Sequence, residues 1–144
     1  MPGPRNPSSY MRTLLALPYL TVYLHEAAKP VLELEWLCYA ASANIRTAVT
    51  QAVQFTREHH VKGWVTDDRR QGAIRPRDLE WAEQAVLLPL SEAGVERFAQ
   101  LEAADALHRL TVDAMYARIR PALSFELRRF EAIGPAREWA SGGS

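Results

Sequence analysis

Two short segments near the start of the chain carry hydrophobic patterns typical of β-strands. Residues 20–24 are aliphatic, β-branched or aromatic, and in residues 31–36 apolar side chains alternate with two glutamates. Alternation with a period of two indicates a strand with one buried and one solvated face. Because Lys29-Pro30 favours a turn between the segments, the pattern predicts an antiparallel hairpin with one solvent-exposed face. Residues 12–17 are a candidate edge strand beside this hairpin.

The next segment changes to helical spacing and then returns to a strand pattern. Ser42 or Asn44 is placed to cap a helix that runs to about His59 and His60. This helix is expected to bury one face, formed by Ile45, Val49, Ala52, Val53 and Thr56. Residues 61–66 are apolar without alternation, which is typical of a central strand covered on both faces.

A second helix is predicted to begin near Arg77 or Asp78. Its buried side is expected to hold Leu79, Ala82, Val86 and Leu90. Pro89 should kink or end this helix, and Gly94 should stop what remains of it. Residues 95–101 are then predicted to form a strand, because a strand is expected at this point in the order of elements.

The last third of the chain repeats the alternation of helix and strand. Asp105 is placed to cap a third helix, which Pro121 ends. The core side of this helix is predicted to be Leu107, Leu110, Ala114 and Ile119. Residues 124–130 are predicted to form a strand, and Gly134-Pro135 to begin a final helix. That helix is expected to pack inward through Ile133, Ala136, Trp139 and Ala140.

This order, a hairpin followed by helix–strand units, predicts an α/β fold. We expect a mixed sheet of about four to five strands with about four helices packed on it. The 144 residues, of which 48 % are hydrophobic, suit one domain with a sizeable core. We assign residues 10–140 to this domain, and residues 1–9 and 141–144 to flexible tails.

Charge and composition reduce the number of function classes that the sequence allows. Lys plus Arg and Asp plus Glu are both 17, so the formal net charge is zero, which argues against a nucleic-acid-binding protein. No apolar run approaches the roughly 20 residues that span a membrane. The single cysteine, Cys38, cannot form an internal disulfide, which favours a reducing, cytoplasmic location. Its apolar neighbours predict a buried structural thiol.

The candidate functional site lies in residues 67–81, where the strand at 61–66 gives way to the second helix. Paired charges between a strand and a helix are typical of sites in α/β proteins. The candidate ligand- or partner-binding residues are Asp67, Asp68, Arg69, Arg75, Arg77 and Trp81.

Three interpretations of this site stay open. In a structural role, an aspartate caps the loop and Arg69 pairs with Asp78 or Glu80. In a binding role, Arg69 with a neighbouring arginine meets an anion or a partner's carboxylate near a helix N-terminus. In a catalytic role, Asp67 or Asp68 acts as a base, which requires a buried carboxylate with a raised pKa in a cleft.

Several local marks together resemble the SpoIIAA-like or STAS-like group of small bacterial domains, and more closely a set of uncharacterised proteins common in Bacteroidetes. The marks are Trp36 at the end of the second strand, WVTDDR at 64–69, PRDLEW at 76–81, Leu88-Pro89, and Phe130, Ala136 and Trp139 near the end. The resemblance implies the fold of these domains and not a mechanism. Antagonists of this type carry a phosphorylatable Ser or Thr after the third strand, whereas residues 67–90 of this chain contain no hydroxyl side chain.

From the resemblance and the absence of nucleotide, zinc-protease and hydrolase motifs, we expect a non-enzymatic regulatory or protein-interaction domain without a cofactor. A homodimer or another protein partner is expected. The alternative is a small-molecule binding protein, for a lipid or a carboxylate, with an apolar pocket bordered by Trp81.

Overall fold

The computed structural model describes residues 11–72, 74–102 and 106–143. Its strands are β1 (Met11–Ala16), β2 (Leu20–His25), β3 (Val31–Trp36), β4 (Gly63–Asp68), β5 (Arg97–Glu102) and β6 (Glu126–Arg129). Its helical segments are α1 (Ser42–Glu58), α2 (Pro76–Ala82), a π-helical turn (Glu83–Leu87), α3 (Leu88–Glu92), α4 (Ala106–Ile119), a 3-10 turn (Arg120–Ala122) and α5 (Ile133–Ala140). Because α2, the π-turn and α3 are continuous, the described residues form four main helices.

The six strands form one mixed sheet in the order β1–β2–β3–β4–β5–β6. β1, β2 and β3 are antiparallel neighbours, whereas β3, β4, β5 and β6 run parallel. The predicted α/β class is confirmed, and so is the hairpin, with Leu20 opposite Trp36 and His25 opposite Val31. The sheet has one strand more than the upper expectation, because the candidate edge strand is present as β1.

Helices cover both faces of the parallel part of the sheet. On one face, Leu34, Trp64 and Phe98 pack in a core with residues of α1, the π-turn and α4. On the other face, α5 packs through Ala136, Trp139 and Ala140. All six residues of β4 are buried, so the prediction of a central strand covered on both faces is confirmed.

The expected solvent-exposed face of the hairpin is confirmed only in part, because Tyr23 and Glu35 are half-buried and Glu33 is buried. Glu33 of β3 is 2 % exposed, because α5 reaches it from the neighbouring strands and supplies a cation. Arg137 of α5 donates to both carboxylate oxygens of Glu33 at 2.7 and 2.9 Å, and His25 lies 2.7 Å from one of them. Burial alone would raise the pKa of Glu33, but the hydrogen bonds with His25 and Arg137 lower it.

The predicted face of α1 is confirmed, whereas its predicted cap is wrong. Ala41 occupies the N-cap position without a side-chain hydrogen bond, and Ser42 is the first helical residue. The Ser42 hydroxyl donates to Asp78 of α2 at 2.6 Å. The hydroxyl therefore ties α1 to α2 instead of capping its own helix.

The predicted core side of α4 is wrong except for Ile119. Leu107 and Leu110 are 75 % and 65 % exposed, whereas Val112 is buried. Apolar residues occur on several sides of this helix, so their spacing could not select the buried side. The predicted cap at Asp105 lies outside the described residues.

Pro89 does not end the second helix. The chain widens into the π-turn before it, where the N–H of Leu88 bonds to the carbonyl of Glu83, and then continues as α3. A proline ring clashes with the carbonyl four residues earlier in a regular α-helix, and a π-turn relieves that crowding. Gly94, at a φ of 92°, ends α3 as predicted.

The C-terminal end of α5 lies close to the sheet. Residues 141–143, which the sequence analysis assigned to a flexible tail, close the helix in a Schellman motif. In it, the N–H groups of Gly142 and Gly143 bond to the carbonyls of Trp139 and Glu138. A Cβ placed on Gly63 of β4 would lie 2.1 Å from the carbonyl oxygen of Ala140, so this approach requires glycine.

Two further expectations concern the surface and the termini. Cys38 is exposed, so the prediction of a buried thiol is wrong; it follows β3, beyond the end of the sheet. The predicted N-terminal tail, residues 1–9, lies outside the described residues. Within the described chain, no helix is both long and apolar enough to cross a membrane.

Candidate functional site

Acidic side chains gather at the edge of the sheet where the parallel strands end. Asp67 and Asp68 end β4, and Glu102 ends β5 directly opposite Asp68. Ligand sites of α/β proteins lie outside the carboxyl ends of parallel strands. The fold therefore brings the carboxylates to the edge where a site is expected.

A cavity of about 120 Å³ lies beside this edge, between the sheet and the helices on the α1 side. Its walls are mainly apolar and aromatic. They include Trp36, Trp64, Trp81, Leu87, Phe98 and Val112. Trp64 and Phe98 stack with their ring centroids 5.6 Å apart, so two neighbouring strands supply a continuous aromatic wall.

Three polar side chains form one end of the cavity. The Thr66 hydroxyl donates to one oxygen of Asp68 at 2.5 Å, and the amide N–H of Gln100 donates to the other at 3.2 Å. Gln100 is only 7 % exposed, and its carbonyl oxygen accepts no hydrogen bond from any described residue. A buried acceptor without a partner is costly, so this oxygen has capacity left for a hydrogen-bond donor.

The surroundings of Asp68 disfavour the charged form of its carboxyl group. Burial and the negative charges of Asp67 and Glu102 raise the pKa of the Asp68 carboxyl, and the hydrogen bonds from Thr66 and Gln100 lower it, which leaves a pKa of about 6 instead of 3.8. At neutral pH most molecules therefore hold a buried carboxylate beside an apolar cavity.

The neighbouring carboxylates differ from Asp68 because each has an arginine. Arg69 donates to both oxygens of Asp67 at 2.8 and 2.7 Å. Arg109 binds Glu102 at 2.9 Å. Asp68 has no cationic partner among the described residues, and its hydrogen bonds come only from neutral groups.

The wall facing the sheet is built by α2 and the π-turn. Ala82, Val86 and Leu87 line the cavity where the helix widens, and π-turns are frequent at functional sites. Asp78 lies at the same wall, held by Arg46 of α1 at 3.1 Å. Burial would raise the pKa of Asp78, but the hydrogen bonds from Ser42 and Arg46 lower it.

The loop between β4 and α2 supplies the rest of the enclosure. Gln71 and Ile74 line the cavity, and Gln71 is buried while its backbone N–H bonds to the carbonyl of Asp68 at 3.1 Å. Gly72 follows with a φ of 82°, a conformation that favours glycine. The turn therefore directs the chain back over the cavity.

The structure separates the six predicted site residues into three places. Asp68 and Trp81 line the cavity. Asp67 and Arg69 pair with each other, so the predicted pairing of Arg69 with Asp78 or Glu80 is wrong. Asp67 is only two positions from Arg69 at the end of the same strand, so it is the carboxylate within easiest reach. Arg75 and Arg77 are exposed and border a surface groove next to the start of α1.

Sequence reasoning missed Thr66 and Gln100. Both are polar residues at buried positions of central strands, and they lie opposite each other in the parallel pair β4–β5. A polar side chain within an apolar strand was the available signal. Only the register between the strands shows that Gln100 reaches Asp68.

Neither a metal centre nor a known relative explains the cavity. Within the described ranges, no group of three or more His, Cys, Asp or Glu residues could hold a metal ion. No family model matches the chain, and no curated protein or solved structure matches it either. The resemblance to STAS-like domains thus stays a prediction from the sequence marks.

Proposed function

We propose that this protein binds a small, largely apolar molecule in the cavity beside Asp68. The observation that carries the proposal is an aromatic, mainly apolar cavity whose lining includes the buried Asp68 and Gln100, while the Gln100 carbonyl oxygen has no donor among the described residues. Binding pockets are typically apolar with a few convergent polar groups that orient the ligand. Asp68 and Gln100 supply such groups at one end of the cavity.

The volume of the cavity is of the order of one small aromatic ring. Apolar cavities of roughly 150 Å³ hold benzene, and this cavity measures about 120 Å³. Trp81 is half-buried and lines the cavity. Rotation of its side chain would enlarge the cavity and admit a slightly larger ligand. A long lipid chain does not fit within this volume.

The charge of the cavity disfavours the carboxylate ligands that the sequence analysis included. Asp68 would repel a carboxylate, and none of Arg69, Arg75 and Arg77 lines the cavity. A like charge close to a buried carboxylate costs several kcal/mol by order of magnitude. The proposal therefore concerns neutral or cationic ligands.

The experiment is a binding titration followed by tryptophan fluorescence and by protein NMR. Small aromatic probes, such as toluene and benzyl alcohol, are expected to perturb the cavity tryptophans and to saturate. Ala82→Phe, which fills the cavity, should abolish this response. Ala117→Phe adds the same ring at an exposed position of α4 and should leave it intact. Equal responses in both variants, or none in the wild-type protein, would refute the proposal.

The protein-interaction domain that the sequence predicts is a second candidate. It is favoured by the exposed arginines Arg75 and Arg77, which border a groove with Arg46 and the first residues of α1. Arginine is enriched at protein interfaces. Light scattering of the purified protein tests the homodimer: a strict monomer at all concentrations would count against it.

A further inference from the structure

We propose that the molecule bound in the cavity is an amine, whose ammonium group donates to Asp68 and Gln100 while its apolar body lies against the tryptophan rings. This inference rests on the proposed function and specifies its ligand class. It follows from the charge, the hydrogen-bonding capacity and the shape of the cavity beside Asp68.

Asp68 is a buried acidic side chain without a cationic partner among the described residues. A buried carboxylate is costly unless a cation or a full set of donors compensates it. Its neighbours Asp67 and Glu102 are compensated by arginines, whereas Asp68 has only the Thr66 hydroxyl and the Gln100 amide. A ligand ammonium would supply the cation that the described chain does not.

Asp68 and Gln100 have more hydrogen-bond acceptor capacity than the described residues use. An ionised carboxylate offers about four acceptor positions, of which the described residues use two at Asp68. Gln100 also lines the cavity, and its buried carbonyl oxygen accepts no bond from a described residue. A primary ammonium has three N–H donors and no acceptor, so it matches a group of acceptors better than a hydroxyl with one donor.

The walls of the cavity suit an apolar, aromatic ligand body. Trp64 and Phe98 stack on the sheet side, and Trp36 and Trp81 also line the cavity. Aromatic rings pack well against other rings, so the walls favour an arylalkylamine over a polyamine, which has little apolar surface. A benzylamine-sized molecule is of the right order for a cavity of about 120 Å³.

The same observations admit one rival arrangement without a ligand. If Asp68 keeps a proton, Gln100 can turn its amide over and accept that proton with its carbonyl oxygen, since amide orientation is not fixed by heavy-atom positions. A purely structural pair of this kind would show no preference among ligands. The amine inference and the rival thus differ in a measurable selectivity.

The test is calorimetric titration of the intact protein at pH 7.5 with four matched probes: benzylamine, benzyl alcohol, toluene and benzoate. We expect benzylamine to bind at least about tenfold more tightly than benzyl alcohol, which corresponds to about 1.4 kcal/mol, and benzoate not to bind. Asp68→Asn should remove the advantage of benzylamine and leave benzyl alcohol within about threefold of its original affinity. Asp113→Asn removes a carboxylate outside the cavity, on the exposed side of α4, and should change neither affinity.

Three outcomes would overturn the inference in distinguishable ways. Equal affinities for benzylamine and toluene would refute the amine while leaving the apolar pocket intact. An undiminished preference for benzylamine in Asp68→Asn would show that the cation binds elsewhere. Failure of all four probes to bind would refute the proposed function itself, and the inference with it.

Discussion

Gln100 of β5 donates its amide N–H to Asp68 of β4 at 3.2 Å while its own carbonyl oxygen, buried beside the aromatic cavity, accepts no bond from the described residues. This half-satisfied pair is the feature that a purely structural core would avoid. Buried polar networks stabilise a protein only when every member is paired. We therefore expect the pair to lower the stability of the free protein and to be available for hydrogen bonds to the proposed ligand.

Replacement of Asp68 by asparagine should make the protein more stable at neutral pH. A carboxyl whose pKa is about 6 instead of 3.8 costs the folded state up to about 3 kcal/mol above pH 6. Between pH 4 and 6 the folded protein keeps a proton that the unfolded chain has lost, so stability from this group falls as pH rises. Urea unfolding should show Asp68→Asn more stable by about 1–3 kcal/mol at pH 7.5, with a smaller gain at pH 4.

Asp67→Asn is the matched control, because it changes the adjacent residue. Asp67 holds Arg69 through two hydrogen bonds, and Arg69 is largely exposed. Loss of this partly exposed ion pair should lower stability by less than about 1 kcal/mol. A destabilised Asp68→Asn variant at pH 7.5 would contradict our description of Asp68 as an uncompensated charge.

Benzylamine binding should weaken in acid. Below pH of about 6, protonation of Asp68 removes the charge that the ammonium contacts, so the dissociation constant should rise by about tenfold per pH unit. The other acidic groups around the site, namely Asp67, Glu102 and Asp78, each have an arginine partner. Calorimetry from pH 4.5 to 8 measures this dependence; a flat profile would argue against contact with Asp68.

The opposite face of the sheet offers a test of the packing of α5. Arg137→Met leaves Glu33 buried without its cation, which typically costs about 3–5 kcal/mol. The double variant with Glu33→Gln removes the uncompensated charge as well and should recover much of that loss. Chemical denaturation of the single and double variants measures the difference. Equal losses in the two variants would show that Arg137 acts by packing alone.

The pair of Glu33 and Arg137 also predicts how stability depends on pH. This dependence has the opposite sign to the one expected from Asp68. The folded state lowers the pKa of Glu33 below its ordinary value of 4.5. Glu33 therefore stabilises the folded protein above pH 4.5, and this stabilisation is lost as the pH falls through the lower pKa of the folded state. Arg137 lowers this pKa through a hydrogen bond and its charge, so the stability lost in Arg137→Met should be largest near neutral pH and should shrink as acid protonates Glu33 in both proteins. A loss of stability that is the same at pH 7 and in acid would exclude Glu33 as its cause.

Gly63 and Gly134 provide a matched pair of glycine substitutions. A methyl group on Gly63 would meet the backbone carbonyl of Ala140 at 2.1 Å, whereas one on Gly134 meets nothing within 4 Å. Gly63→Ala should destabilise the protein by about 1–3 kcal/mol, because the added methyl group overpacks this contact. Gly134→Ala, within α5, should be neutral or stabilising by up to about 1 kcal/mol. Thermal unfolding distinguishes them, and similar effects would contradict the close approach of α5 to β4.

Local pattern was sufficient to predict most elements. The alternation at 31–36 coincides with β3, and the lack of alternation near Val65 correctly predicted a strand buried on both sides. Both patterns can be recognised locally, because successive side chains of a strand point to opposite faces of the sheet. The burial of Glu33 escaped prediction because its cover, Arg137, lies 104 positions away.

The candidate site was predicted only in part for a similar reason. Asp68 and Trp81 were identified from charge and aromatic character near a strand end, and both line the cavity. Gln100 could not be identified, since its role depends on the register of β5 against β4. The π-turn before Pro89 also escaped, because the sequence shows the proline but not how the preceding turn accommodates it.

The most direct measurement is the titration of the Asp68 carboxyl by carbon-13 NMR, in the free protein and with saturating benzylamine. The account predicts a pKa of about 6 in the free protein and a clearly lower pKa in the complex, because the ammonium stabilises the charged form. A free value close to 3.8, or a value of about 6 that benzylamine leaves unchanged, would contradict it.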